Sequence, residues 1–213
     1  MTYGIIVAME KEFEALLGKR GNFEFGRTES GNRFVVLVSG IGKVNAAVAA
    51  YRLIKDFEAD EVLSLGCAGG MEYSVRVGDV VIGESYCYHD VWCGEPNERG
   101  QVQGHPMIYG SNAGKWASLV ENPKCGLIVT GDALVENEIM ADAIIQTIQM
   151  NPLAVDMESA AIAQVCDTYG TPFTSIRVIS DNPRFGFHAK EYRDFWKHKD
   201  KTLSSIFQSI LSR

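Results

Sequence analysis

The sequence predicts an α/β domain built on a largely parallel sheet. Short apolar runs that suit buried strands alternate along the chain with segments that have the apolar spacing of helices. The length of 213 residues suits one domain with a single core. Hydrophobic residues make up 46% and charged residues 22%, as is ordinary for a globular protein. We therefore expect one α/β domain over residues 1–213.

Six apolar runs predict the strands of this domain. They span residues 3–8, 34–38, 61–65, 77–90, 125–134 and 172–181. Helical spacing predicts helices at residues 9–19, 44–57, 138–150 and 189–211, and a further helix that begins within AVDMESAAIAQV, residues 154–165. Residues 92–115 are polar, rich in glycine and without periodicity, which indicates a long functional or mobile loop.

Charge and cysteine content narrow the class of protein. The net charge of −7 argues against a nucleic-acid surface, where a basic stripe is expected. The N-terminal MTYGIIVAMEKEFEALL lacks the pattern of a secretory signal, and no apolar stretch approaches the ~20 residues of a membrane helix. The five cysteines form no CxxC pair, and the four histidines lack metal-ligand spacing. We expect a cytoplasmic protein with reduced thiols, no metal, and neither nucleic acid nor membrane as a partner.

Polar or glycine-rich clusters follow strand after strand. In chain order they are MEKE, SGIGK, GCAGG, GDALVEN, VDMES and SDN. Ligand crevices of open α/β sheets lie at the carboxyl ends of strands. The six clusters are therefore predicted to line one pocket.

The two glycine clusters are weak motifs on their own. SGIGK differs from a P-loop because Val44 follows the lysine, and GCAGG lacks the register of a dinucleotide fingerprint. ATP and NAD are therefore disfavoured as ligands. Each cluster is open to two interpretations: a tight turn in which glycine supplies a positive φ, or a close approach of a ligand to the backbone.

Several side chains in these clusters are candidates for chemistry. Glu12 falls near the carboxyl end of the first strand, where the ligand crevice is expected. It also falls in the first turn of a predicted helix, where an acid would simply complement the helix dipole. Asp156 is suited to be the N-cap residue of the helix that follows it. Helix capping explains the presence of Glu158 less well. Asp181 is either a turn-forming residue or an acid whose pKa is raised at the sheet edge. His89 is either a crevice residue that its neighbour Asp90 orients or a satisfied loop histidine.

The ordered set of motifs resembles a known family. GIIVAMEKE, VSGIGKVNAA, GCAGG, VGDVVI, YHD, GLIVTGDAL, AVDMESAAIAQVC and RVISD occur in that order over about residues 4–181. Together they are similar to the 5′-methylthioadenosine/S-adenosylhomocysteine nucleosidases of the nucleoside phosphorylase/hydrolase superfamily. The resemblance implies a three-layer αβα sandwich with a central mixed, partly barrelled sheet, usually a homodimer. It also implies cleavage of the N-glycosidic bond of 5′-thio adenine nucleosides to adenine and a 5′-thioribose, with no cofactor.

The resemblance assigns roles to residues of this chain. Glu12 matches the base that activates the attacking water, and Asp181 matches the acid that donates a proton toward N7 of adenine and bonds the 6-amino group. Glu158 matches the carboxylate that grips the ribose hydroxyls. The other residues implied are Met157 against the sugar, Ser180 in support of the acid, Arg177 near the water, the backbone of Leu134 and Val135 at the adenine edge, and Cys67, Ala68, Gly69 and Tyr192 as further substrate contacts.

Water is favoured over phosphate as the nucleophile. Related purine nucleoside phosphorylases carry an arginine just before the glycine segment, where this chain reads SLGCAGG. Glu12 in the neighbouring position would repel phosphate. The alternatives are a purine nucleoside phosphorylase, a nucleosidase for another 6-amino nucleoside such as aminofutalosine or 5′-deoxyadenosine, and a non-catalytic nucleoside-binding protein on the same fold.

Three departures from the family pattern concern the substrate. Cys67 stands where many members have serine, and a thiol is a weaker hydrogen-bond donor. Leu134 replaces a frequent aromatic that stacks on adenine. Residues 93–104 lack the usual aromatics around the 5′-thio group, for which Tyr192, Phe185 and Phe187 would compensate. The sequence therefore leaves open which substituent at the 5′ position of the nucleoside the site prefers.

Overall fold

The protein is a mixed α/β structure whose sheet lies between two layers of helices. The computed structural model describes residues 1–186, 188–197 and 201–213. Within these ranges no helix is long and apolar enough to cross a membrane.

The described residues form nine strands, and all six predicted strands are present. The strands are β1 (Thr2–Val7), β2 (Phe23–Arg27), β3 (Arg33–Val38), β4 (Glu61–Gly70), β5 (Val80–Tyr88), β6 (Tyr109–Gly110), β7 (Lys124–Thr130), β8 (Ala154–Asp156) and β9 (Phe173–Asp181).

Seven α-helices connect or flank these strands in the same residues. They are α1 (Glu10–Leu17), α2 (Lys43–Lys55), α3 (Ala113–Ala117), α4 (Glu138–Ile148), α5 (Ser159–Tyr169), α6 (His188–Lys197) and α7 (Thr202–Leu211), and a short 3₁₀ helix spans Pro183–Phe185.

The strand pairing closes part of the sheet into a barrel. The sheet runs β2-β3-β1-β4-β8-β7-β5-β6, and β9 pairs with both β4 and β5. The pairs β4–β9, β9–β5, β5–β7, β7–β8 and β8–β4 therefore form a closed ring. Four of the nine pairings are antiparallel, so the sheet is mixed, as the family resemblance implied, rather than largely parallel.

Side-chain alternation along β1 explains the layers. Ile6 belongs to the core cluster that includes small residues of α2 and α5, such as Ala50 and Ala160. Its neighbours Ile5 and Val7 point to the other face, into the cluster that includes α1 and α7. A third cluster packs α4 against β7 and β8. Both faces of the sheet are therefore covered, which accounts for the continuous apolar runs of its strands.

The two glycine clusters differ from each other. SGIGK is a turn, since Gly40 and Gly42 have φ of 88° and 97°. In contrast, GCAGG lies within β4, and neither Gly66, Gly69 nor Gly70 has a positive φ. The turn interpretation of GCAGG was therefore wrong, and close approach of other groups explains its glycines.

Three further elements differ from the prediction. The segment at 92–115 contains β6 and the start of α3, and the edge strand β2 was not predicted. The predicted helix at 189–211 corresponds to α6 and α7 in the described residues. Residues 198–200, within that predicted helix, and Phe187 lie outside the described residues.

Candidate active site

A cavity of about 600 Å³ lies at the carboxyl ends of β1, β4, β8 and β9. This volume is typical of small-molecule sites. Each of the six polar clusters contributes to its lining: Met9 and Glu12, Ile41, Cys67 to Gly69, Leu134 and Glu136, Asp156 to Glu158, and Ser180 with Asp181. The prediction that these clusters share one pocket is confirmed.

Glu12 is buried in the first turn of α1, with 2% of its surface exposed. Its Oε2 accepts hydrogen bonds from the backbone N–H groups of Ala8 (2.9 Å) and Met9 (3.0 Å). Its Oε1 accepts the N–H of Cys67 at 3.0 Å. A Cβ on Gly66 would lie 2.7 Å from Oε1, so only glycine leaves room for this carboxylate. Backbone donors thus fix Glu12 at the cavity wall.

The thiol of Cys67 adds a further contact to the same carboxylate. Its Sγ lies 3.5 Å from Oε1 of Glu12. Burial, followed by the charge and hydrogen bond of Glu12, raises the pKa of the thiol well above its ordinary value. Cys67 therefore remains a neutral donor toward Glu12.

Glu158 is the N-cap residue of α5 and is 6% exposed. Its Oε1 accepts the backbone N–H of Gly42 at 3.0 Å, which joins the SGIGK turn to the site. Burial and then the charge of Asp156 raise its pKa to about 7, with a smaller contribution from Glu12. Arg177 and the Gly42 N–H act in the opposite direction. Glu158 is therefore an acid that titrates near neutral pH.

Arg177, on β9, is the buried cation among these acids and is 2% exposed. Its Nη2 lies 2.8 Å from Asp156 Oδ2 and 3.9 Å from Glu158 Oε2. Although burial acts to lower it, the pKa of Arg177 is raised by the charges of Asp156, Glu158 and Glu12. The guanidinium thus remains charged in the core.

Asp181 ends β9 and is 8% exposed. The register between β4 and β9 shifts here, because Ala68 pairs with Ile179 and Gly69 pairs with Asp181. Such irregularities often re-aim a side chain beside a site. Ser180 Oγ lies 2.7 Å from Asp181 Oδ1 and 3.3 Å from the Ala68 carbonyl oxygen. The arrangement presents the Asp181 carboxyl to the cavity.

The remaining predicted contacts differ in exposure. Met157 lines the cavity, and Leu134 lies at its rim with 62% exposure. Val135 is 4% exposed and belongs to the α4 core, so its side chain is not part of the lining. Tyr192 lines the cavity from α6, and the Nζ of Lys11 donates a hydrogen bond to its hydroxyl group.

His89 does not line the cavity. Burial lowers its pKa, and its neighbour Asp90 bonds elsewhere. Both carboxylate oxygens of Asp90 accept from Lys43 Nζ at 2.8 Å, and one accepts the N–H of Asp132 at 2.9 Å. Asp90 therefore holds the start of α2 to the loop after β7 rather than orienting His89.

The sequence reasoning missed six residues of the lining: Ala8, Met9, Ile41, Glu136, Val155 and Arg193. Five of them lie in or directly beside the polar clusters, so the position of those clusters at strand ends was the available signal. Arg193 lies on α6, where no motif marked it.

Comparison with known proteins identifies what this chain is similar to. The model of the phosphorylase superfamily matches residues 2–212. The 5′-methylthioadenosine/S-adenosylhomocysteine nucleosidase of Marinomonas sp. (strain MWYL1) is 40% identical over 169 residues, which cover 75% of this chain and 72% of that one. The nucleosidase of the same name from Bacillus cereus (strain G9842) is 37% identical over 202 residues, which cover 85% and 86%.

A solved structure is similar over the whole chain. The 5′-methylthioadenosine/S-adenosylhomocysteine nucleosidase of Neisseria meningitidis, in complex with methylthio-immucillin-A, has a TM-score of 0.84 and 33% identity. The match covers 100% of this chain and 99% of that chain.

Proposed function

The chain belongs to the phosphorylase superfamily and, within it, to the 5′-methylthioadenosine/S-adenosylhomocysteine nucleosidases, and we propose that Glu12, Glu158 and Asp181 carry its reaction. It hydrolyses the N-glycosidic bond of 5′-methylthioadenosine and S-adenosylhomocysteine to adenine and the 5′-thioribose product. The observation that carries the residue assignment is the convergence of these three buried carboxyl groups on one cavity of about 600 Å³.

Asp181 acts as the general acid toward the leaving base. Cleavage through an oxocarbenium-like state needs a proton on the departing adenine, because the free anion is a poor leaving group. Ser180 Oγ, 2.7 Å from Oδ1, holds the carboxyl group in place. The backbone beside Leu134, at the cavity rim, contacts the edge of the base.

Glu12 acts as the base that activates the attacking water. Its Oε2 is occupied by two backbone N–H groups, while Oε1 faces Cys67 and Gly66. Rigid backbone donors hold the carboxylate in one orientation, which lowers the reorganisation needed during the reaction.

Glu158 binds the ribose hydroxyls, and Met157 packs against the sugar. In its ionised form Glu158 accepts hydrogen bonds from two hydroxyls, and its charge stabilises the cationic sugar of the transition state. Because its pKa is raised to about 7, kcat/KM is expected to fall as the pH drops below this value.

Hydrolysis suits this site better than phosphorolysis. A phosphate dianion at the sugar would lie near Glu12 and Glu158, and like charges in a dry site repel strongly. The buried cation Arg177 is already paired with Asp156 at 2.8 Å. The charge at the sugar face therefore favours a neutral water.

A substrate panel tests the proposed function. Adenine release is measured chromatographically from 5′-methylthioadenosine, S-adenosylhomocysteine, 5′-deoxyadenosine and adenosine, with and without phosphate. We expect phosphate-independent release with the 5′-thio nucleosides preferred. A 1-phosphosugar product, or equal kcat/KM for methylthioadenosine and adenosine, would contradict the assignment.

Replacement of the acid tests the role of Asp181. Asp181→Asn is expected to lower kcat by about 10²–10⁴-fold, the usual contribution of a general acid, while an adenine nucleoside still binds. Asp142→Asn is a suitable control because this aspartate lies on α4 and pairs with Arg184 outside the cavity. Unchanged turnover in Asp181→Asn would remove the residue from its role.

We further propose that the chain acts as a single domain, in the cytoplasm and as a homodimer. Support for the dimer comes from α2, where Val44, Val48 and Tyr51 present an exposed apolar stripe.

A further inference from the structure

The Asp156 carboxylate is saturated with donors although it lies beside the cavity. Oδ1 accepts from Thr130 Oγ1 at 2.6 Å and from the N–H groups of Glu158 (3.3 Å) and Ser159 (3.2 Å). Oδ2 accepts from Arg177 Nε at 2.9 Å and from the hydroxyl of Ser159. The residue is 6% exposed. With both oxygens occupied, it has little capacity left for a ligand.

The same bonds fix the orientation of Arg177. Nε and Nη2 both point to Asp156 Oδ2, and Nη2 also donates to Ser159 Oγ at 3.2 Å. Nη1 points the other way: a Cβ on Gly66 would lie 3.0 Å from Nη1 and 2.7 Å from Glu12 Oε1. Nη1 and the Glu12 carboxylate therefore flank one point at the cavity wall.

We propose that Asp156 is a positioning residue of the reaction, which holds the Arg177 guanidinium so that Glu12 and Glu158 stay available to water and ribose. This inference rests on the proposed function, since the roles of those two acids come from it. Asp156 itself does not touch the substrate.

The alternative pairing of Arg177 explains why an anchor is needed. Arg177 Nη2 lies 3.9 Å from Glu158 Oε2, so a small rotation would bring them into direct contact. A buried cation without its partner pairs with the next available anion. Without Asp156 the guanidinium would turn toward Glu158 and occupy the oxygen that ribose hydroxyls need. In the native protein the Thr130 and Ser159 bonds hold the Asp156 carboxylate in place, and Arg177 stays turned toward it.

The charged groups that face Glu158 set its pKa, and the pH dependence of the reaction therefore depends on them. They are Asp156 on β8, Arg177 on β9 and Glu12 on α1, together with the Gly42 N–H. Loss of the Asp156 charge, and closer approach of Arg177, both lower the pKa of Glu158. A variant that keeps the Asp156 charge isolates the second effect, because only the approach of Arg177 then moves the acid limb of the pH profile.

The test compares Asp156→Asn with the wild-type enzyme and with Glu61→Gln. Asparagine keeps the shape and removes the charge. We expect kcat to fall about 10–100-fold and the acid limb of kcat/KM for methylthioadenosine to move to lower pH. Glu61 is a matched control, since it is 1% exposed and accepts hydrogen bonds from Lys115 and Trp116 at the opposite end of β4. Glu61→Gln is expected to lower the melting temperature without changing kcat or the profile.

The kinetics of the variants decide whether Asp156 is a positioning residue. An unchanged kcat in folded Asp156→Asn, or a lower kcat with an unmoved acid limb, overturns it. If that variant does not fold, Thr130→Val decides, because it removes the 2.6 Å bond to Oδ1 and keeps the charge. There kcat is expected to fall about 3–10-fold and the acid limb to move to lower pH, because Arg177 comes closer to Glu158, and an unchanged kcat or an unmoved acid limb overturns the inference. Absence of adenine release by the wild-type chain would instead overturn the proposed function.

Discussion

Glu158 is 6% exposed and lies near two other acids, so its ionised form is costly in this environment. The proposed ribose binding nevertheless needs that form, because the ionised carboxylate has both oxygens free to accept hydrogen bonds from hydroxyls. The native protein holds the Glu158 proton up to a pH of about 7, whereas the ordinary value is 4.5. Folding therefore takes up a proton between these values, and this residue makes the protein less stable as the pH rises from 4.5 to 7.

Glu158→Gln should remove this dependence on pH. The variant loses activity, and its melting temperature relative to wild type should increase as the pH rises from 5 to 8. The gain is on the order of 1–3 kcal/mol, or roughly 2–10 °C. Glu24→Gln serves as the control in the same thermal scans, because the hydrogen bond from Lys19 holds the pKa of Glu24 below 4.5. Its difference from wild type should stay constant over this range, and a constant difference for Glu158→Gln as well would contradict the assignment.

Most individual residues of the site could be predicted from the sequence because strand ends marked them, whereas Tyr192 on α6 followed from the family resemblance alone. Glu12, Glu158 and Asp181 each lie in a polar cluster that follows an apolar run, and all three line the cavity. Their partners could not be predicted in this way. Glu158 bonds the backbone of Gly42, which is 116 residues away, and no local pattern encodes such a contact.

At the scale of elements, β4 brings its backbone against Glu12, the proposed base. Gly66 lies inside this strand without a positive φ, so its conformation alone does not require glycine. The requirement is spatial, since a Cβ would lie 2.7 Å from Glu12 Oε1 and 3.0 Å from Arg177 Nη1.

Gly66→Ala should therefore damage activity more than stability. The added methyl group displaces a carboxylate that backbone donors otherwise hold, and we expect kcat/KM to fall about 10–1000-fold, since small displacements of catalytic groups are costly. Gly110→Ala, in β6, is the control, because its Cβ would meet nothing within 4 Å. Steady-state kinetics and thermal melting of both variants check this. Equal activity of the two would show that the Glu12 site tolerates the methyl group.

Elements with continuous apolar runs were predictable, and those without them were not. β1, β3 and β9 are buried on both faces, so their sequences stand out. β2 is an edge strand with alternating exposure, and Phe23 and Phe25 point outward, which gives no buried run to detect. The sequence left GCAGG open between a turn and a close approach to the backbone, because glycine suits both; here the glycines lie in a strand and make room for side chains from elsewhere.

At the scale of the whole molecule, barrel closure brings distant segments to one cavity. β4 bonds both β8 and β9, so Cys67, Glu158 and Asp181 meet although they lie far apart in the chain. Local patterns predict strands but not this closure, because the β9–β5 and β8–β4 pairings are non-local and antiparallel. The family resemblance supplied what periodicity could not.

The exposed apolar stripe of α2 is the predicted interface between two copies of the chain. Val44, Val48 and Tyr51 are 75%, 55% and 47% exposed, and Tyr51 stacks edge-on with Tyr169 of α5 at 5.9 Å. Ile41, three residues before Val44, belongs to the cavity lining. A second copy that covers this stripe by two-fold symmetry would therefore also cover the side of the cavity that Ile41 forms.

Val48→Glu places a charge at the centre of the stripe, and a buried unpaired charge opposes association. We expect sedimentation velocity to give a dimer for the wild-type chain and a monomer for the variant. KM for methylthioadenosine should rise at least about 5-fold, because dissociation opens the cavity beside Ile41, while the melting curve of the monomer keeps a single transition. Val77→Glu, at an apolar residue that is 41% exposed outside α2 and α5, should stay dimeric with an unchanged KM. A wild-type monomer, or a dimeric Val48→Glu, would exclude this stripe as the interface.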